Sequence, residues 1–193
     1  KPDFSPCIQF FGLAYPEFDA SDMLYFHGRL RKEAGCTRFA EVEKKALQWV
    51  MDNSAKTFYW RDHHGNDGPH RVLGNVSPSV VNYFLRYLLD WAEPSAENLK
   101  LADEILRYCE DQYIDWSRSA DGLDTPRVGG AWPPGANTSL FAMIYLKMYE
   151  KTKRPLDLAK AEALANAAVR DMAGNFTPLY LHEYAEVFKR VKR

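Results

Sequence analysis

The stretch Phe58–Arg71, FYWRDHHGNDGPHR, holds three of the chain's five histidines, two aspartates and two arginines behind an aromatic triplet. Histidine beside aspartate is the pairing that general acid–base catalysis uses, so Asp62 and His63 are the candidate pair here. Trp60 offers a flat face, and Arg61, His64 and His70 offer donors to hydroxyls or to a carboxylate. Asp62, His63, His64, Asp67 and His70 also carry metal-ligand atoms. However, His63 and His64 are adjacent and would need a bent backbone to reach one ion, and there is no HExxH to set two histidines on one helical face, so no metal site is assigned. The same Gly, Asn, Asp and Pro residues are those of a plain solvated loop.

A second such stretch is Glu110–Gly135, EDQYIDWSRSADGLDTPRVGGAWPPG. It supplies Glu110, Asp111, Asp115, Asp121 and Asp124 beside Tyr113, Trp116 and Trp132. Glycoside chemistry needs two carboxyls roughly 5–9 Å apart and flat aromatic faces for the sugar ring, and these residue types meet both needs. Asp111 and Asp115 are the catalytic candidates; Trp116 and Trp132 are candidate platforms, although large aromatics also plug gaps between helices. Glu110 and Asp111 end a predicted helix, where acids oppose the macrodipole. Arg61, Arg71, Arg118 and Arg127 fall in the two loops, and their forks suit a uronate carboxylate or, equally, a neighbouring loop acid. Arg118 is taken as a substrate-binding candidate.

Composition narrows the classes. A formal charge of -1 argues against a nucleic-acid surface. Apolar residues at 46% argue for a packed core, and no apolar run approaches the ~20 residues of a membrane span. Cys7, Cys36 and Cys109 are an odd set without CxxC, hence neither a disulfide framework nor a zinc ribbon; one disulfide with a free thiol and three free thiols both fit, and neither Cys36 nor Cys109 has the basic neighbours of an activated thiol. There is no phosphate-binding glycine loop with Lys-Ser/Thr and no GxSxG, and no cofactor is assigned. Asn75, Asn137 and Asn175 head N-x-S/T triplets, a pattern frequent by chance. His27 and His182 sit on predicted helices and the terminal KRVKR reads as a solvated tail. The opening KPDFSPC lacks both Met and a signal peptide, as expected of a mature form or a piece of a longer chain.

Between the loops the apolar pattern is helical and repeats. SDMLYFHGRLRKEAG and RFAEVEKKALQWVMDN carry apolar residues at the 3.6 period. Ser21 with Asp22 is the predicted start of the first helix and Gly35 its C-terminal cap. The same two-helix unit recurs at Ser77–Tyr113 and Asn137–Met172, with Gly35, Pro94 and Lys153 in equivalent turns, Val42, Leu101 and Lys160 equivalent, and Glu43, Ala102 and Ala161 equivalent. Each step is 59 residues. The predicted fold is all-α in a single domain, with hairpins at about 20–53, 77–113 and 137–172 and a last helix at 178–193. Short turns within hairpins and long loops between them place the long loops at one end of the stack.

MIYLKMYEKTKRPLDLAKAEALANAAV resembles the hairpins of the six-hairpin α/α-toroid carbohydrate-active superfamily, in which a YxxTGDPxYLxxAxxLAxxxL-like turn recurs. Tyr149, Thr152, Leu158, Ala161 and Ala165 hold that pattern, with Lys153 in the Gly place; LRKEAGCTRFAEVEKKAL is a second copy with Gly35 and Phe39 in place. YCEDQYIDW is similar to a segment of Bacteroides-type toroid proteins that handle polysaccharides. The resemblance implies an incomplete toroid of about three and a half hairpins, since six at this period would need about 350 residues. It also implies a bacterial protein that is secreted, periplasmic or at the cell surface, acting as a glycoside hydrolase or polysaccharide lyase on a polysaccharide or oligosaccharide. The alternative is a non-catalytic glycan-binding or scaffold module of a larger surface protein. A protein–protein adaptor would instead show an apolar or charged patch along its helices.

Overall fold

In a computed structural model of the chain, residues 16–58, 81–116, 126–128, 134–171 and 180–192 are described. Of these, 84% are helical, which makes the fold all-α as the periodicity predicts. The helices are α1 (Pro16–Ala34), α2 (Ala40–Asp52), a single turn α3 (Ser54–Thr57), α4 (Ala96–Tyr113), α5 (Pro134–Thr152), α6 (Pro155–Asp171) and α7 (Leu181–Val191). Two wider π turns, Val81–Leu85 and Tyr87–Trp91, precede α4. Two-residue strands β1 (Ile114–Asp115) and β2 (Arg127–Val128) pair antiparallel. By backbone proximity the chain divides into two compact units, Lys1–Tyr108 and Cys109–Arg193, and α4 runs through the boundary.

Helix boundaries follow local chemistry. α1 begins at Pro16, ahead of the expected Ser21–Asp22 cap, because proline needs no N–H partner and its fixed φ suits the first helical position; Ser21 is instead buried within the helix. Proline opens α5 and α6 in the same way. Gly35 takes φ +64 between α1 and α2, and a Cβ there would meet nothing within 4 Å, so the backbone angle alone favours glycine. Lys153, 118 residues on by two 59-residue steps, takes φ +58, and its amide donates to the Tyr149 carbonyl at 2.8 Å. Pro94, between them in register, cannot adopt that angle. That turn is closed by Ser95, whose hydroxyl accepts the Asn98 amide at 3.0 Å as a helix N-cap.

The repeat is visible in burial. Glu43, Ala102 and Ala161 are all buried; so are Ala46, Ile105 and Leu164, and Val50, Cys109 and Ala168. The same pair of register positions is also joined in two hairpins, by different bonds. Asn98 Nδ2 donates to the Glu93 carbonyl at 3.1 Å, and 59 residues later the Thr152 hydroxyl donates to the Asp157 carboxylate at 3.1 Å.

In the first unit α1 packs on α2 and on both π turns. Gly28 is the point of closest approach: a Cβ there would lie 2.7 Å from Trp91 Cβ and 2.9 Å from the Tyr87 ring. Beside it, Arg31 donates to both oxygens of buried Glu43 at 3.0 and 2.9 Å, to Glu93 at 2.8 Å and to the Trp91 carbonyl at 2.8 Å. The Tyr87 hydroxyl adds a bond to Glu43 at 3.0 Å. His27 stacks on Phe39 at 4.9 Å; burial lowers its pKa and the nearby Glu43 charge partly restores it.

In the second unit α5 packs on α6 and α7. Val187 anchors α7, buried Lys147 pairs with Glu183 at 2.8 Å, and Arg190 holds Glu150 through two bonds at 2.9 and 3.1 Å. Those bonds hold the Glu150 carboxyl below its ordinary pKa. Asn137 is buried on α5, so its triplet offers no surface acceptor for a glycan; Asn75 and Asn175 lie outside the described residues. No described helix is long and apolar enough to cross a membrane.

Two substitutions test this reading by thermal and denaturant unfolding. Gly28→Ala forces Trp91 or Tyr87 outward and is expected to cost about 1–3 kcal/mol. Lys153→Gly relieves a left-handed lysine and is expected to stabilise by up to about 1 kcal/mol, or about 2 °C in Tm.

Candidate functional site

The site that the structure assembles is at the C-terminal end of α4, within the second unit. The helix delivers Glu110 and Asp111, then passes directly into β1, where Ile114 faces inward and Asp115 outward. Ile114 pairs with Val128 and Asp115 with Arg127, and β2 lies against α5. This short ladder fixes the backbone from which Trp116 projects. Sequence reading expected no regular structure here. Two-residue strands are below the length at which alternation is legible.

Glu110, half-buried, is the hub. Lys160 of α6 lies 2.6 Å from its Oε1 and 2.7 Å from its Oε2, and the Tyr145 hydroxyl of α5 donates to Oε2 at 2.7 Å. The Lys160 ammonium also stands 5.3 Å over the Tyr145 ring and 5.8 Å over the Trp116 ring. Burial, with the bond to Glu110 second, pushes the Tyr145 pKa far up, so the phenol stays a donor at all ordinary pH. The ammonium offsets the carboxylate's conflict with the helix C-terminus. It also covers Trp116, which remains 39% exposed. Asp111 is exposed and accepts from Gln112 Nε2 at 3.0 Å; Asp115 is exposed on β1.

Among the sequence candidates, then, Asp111, Asp115 and Trp116 come from one short segment. Glu110, one of the loop's acids, is a structural hub bonded to Lys160 and Tyr145. Lys160 and Tyr145 were missed. The usable signal for Lys160 was its charge in a register column otherwise filled by Val42 and Leu101. Trp60, Arg61, Asp62, His63, His64, His70, Arg118 and Trp132 lie outside the described residues. Of the histidine-rich stretch only Phe58 is described: half-buried, at φ +50, with its ring 5.7 Å from that of Tyr108. Among the described residues no cluster of three or more His, Cys, Asp or Glu could hold a metal. Cys36 and Cys109 are free thiols, and burial pushes the Cys109 pKa up, which makes it inert.

No protein family, curated protein or solved structure matches the chain.

Lys160→Met keeps the length of the side chain and removes its charge. It is expected to cost about 1 kcal/mol, because Glu110 is only partly screened by water. Trp116 should then show greater acrylamide quenching than in the wild type, with Trp116→Phe as the subtraction control. Unchanged quenching would mean that the ammonium does not hold the indole.

Proposed function

We propose that the protein is a carbohydrate-active helical-repeat protein that binds a polysaccharide or oligosaccharide, with Trp116 as the platform for a sugar ring. One observation carries this reading: Trp116 remains 39% exposed directly after a strand pair and with the Lys160–Glu110 ion pair against its ring. A folded chain ordinarily buries tryptophan, and a pre-positioned exposed indole is suited to the apolar face of a pyranose. Asp111 and Asp115, exposed on the same short segment, carry acceptors for sugar hydroxyls. The resemblance of the hairpin turns supports an incomplete α/α toroid, a bacterial site of action outside the cytoplasm, and glycan as the partner class.

The catalytic version of this reading makes Asp111 and Asp115 acid and base, joined by Asp62 and His63. Exposure of both aspartates favours the binding version, because a catalytic acid needs an environment that raises its pKa.

Thermal-shift and calorimetric titration with neutral and uronate-bearing oligosaccharides, each with and without EDTA, tests the proposal. A glycan that binds only the folded state raises the unfolding midpoint. The expected result is a shift with one glycan class, unaffected by EDTA, and about tenfold weaker binding in Trp116→Ala. Asp111→Asn and Asp115→Asn should weaken binding; loss of turnover with binding intact would favour the enzyme. No shift with any glycan would remove the proposal.

A further inference from the structure

His27 is a titratable side chain that neither the Arg31–Glu43 ion pair nor the proposed glycan site uses. It lies half-buried on α1, with its ring stacked flat on that of Phe39, centroids 4.9 Å apart and planes 6° from parallel. Phe39 is the residue that opens α2, so the stack ties together the two helices of the first hairpin. The ring's Nδ1 is buried and has no hydrogen-bond partner. A neutral imidazole suits that arrangement, because an unprotonated Nδ1 carries no donor. An imidazolium does not: both its nitrogens donate, and a buried N–H without an acceptor is costly.

The acid that acts on this ring is already committed. Glu43 of α2 accepts from Arg31 at both oxygens and from Tyr87 of the second π turn. Burial pushes the Tyr87 pKa far up, so that phenol does not change charge near neutrality. Asp90 of the same turn lies toward Lys32, which bonds its carbonyl at 3.3 Å. In the first π turn the titratable residue is Tyr83, whose ring is 5.9 Å from that of Tyr25. Arg31 lies one turn along α1 from His27, and Arg38 stands 5.7 Å from the centre of the Phe39 ring. A charge on His27 would therefore be one more cation beside an acid that Arg31 already holds.

We propose that His27 is an acid-sensitive latch on the first hairpin, closed while its imidazole is neutral and released when a proton at Nδ1 parts α1 from α2. Parting the helices lets the imidazolium reach water. The sign follows from burial, which holds the His27 pKa below its ordinary 6.5 against the opposing pull of Glu43. In the opened chain the group returns to about 6.5. The stability it contributes is complete above that value and is lost as pH falls through it toward the folded pKa. Histidine is the side chain whose charge changes in this range. The latch lies in the first unit and does not depend on glycan binding in the second.

Urea unfolding of the full chain in steps from about pH 8 to about pH 5, wild type beside His27→Phe, tests it. Phenylalanine keeps the stack and takes no proton. The wild-type folding constant is expected to fall below about pH 6.5, by at most about tenfold per pH unit, the limit for one proton. His27→Phe should lack that component; the other histidines are common to both proteins and cancel in the difference. His27→Gln serves in its place if circular dichroism shows the phenylalanine variant misfolded. Hydrogen exchange, corrected for its intrinsic pH dependence, locates the opening: α1 and α2 should lose protection between about pH 7.5 and about pH 5.5 in the wild type and keep it in the variant. The same pH dependence of stability in both proteins, or wild-type α1 and α2 equally protected at the two pH values, would overturn the proposal.

Discussion

A carboxylate taken out of water must be paired, and that constraint organises the first unit. Glu43 occupies a register column in which the other hairpins have Ala102 and Ala161, and like them it is buried. Leaving such a charge unpaired costs several kcal/mol, so the helices must meet where Arg31 can close on both oxygens and Tyr87 can add a third bond. Arg31 comes from α1, Glu43 from α2 and Tyr87 from a π turn, so one ion pair fixes three elements. Gly28, less than one turn before Arg31, makes this possible by letting Tyr87 and Trp91 approach the α1 backbone. Satisfying the charge and close packing of the helices are therefore one problem here.

The second unit meets the same constraint with different residues. Glu110, Tyr145 and Lys160 again bring together acid, phenol and cation from three helices. The difference lies in what the cation does next. Arg31 directs its remaining donors to exposed Glu93 and to the Trp91 carbonyl, within its own unit. Lys160 instead stands over Trp116, so its charge is shared between a half-buried acid and an exposed ring. Stability and the proposed recognition surface are thereby coupled in the second unit.

The repeat was the most legible feature of the sequence, because burial and turn geometry both have a period. Gly35 and Lys153 share a left-handed backbone angle although one is glycine and the other is not, so register located the turn where residue type alone would have missed the second case. Pro94 shows the limit: the register is kept, but the turn chemistry changes to a serine cap. Interactions between distant residues were less legible. Nothing in local spacing pairs Glu110 with Lys160, 50 residues away, and a two-residue ladder between Ile114 and Val128 leaves no pattern. The entry to α1 was misplaced because Ser21 resembles a cap, and it is a buried small residue inside the helix.

The same pairing rule separates recognition from catalysis at the α4 terminus. Acid–base cleavage of a glycoside needs one carboxyl kept protonated near neutral pH, and burial without a cation is the usual means. Glu110 is half-buried, and Lys160 and the Tyr145 hydroxyl both bond its carboxylate. Asp111 and Asp115 are exposed to water. Among the described residues, therefore, the half-buried acid is engaged by a cation and a phenol, and the other two acids face water. Exposed carboxylates and an exposed indole on one short segment are the groups on which the binding version of the proposal rests.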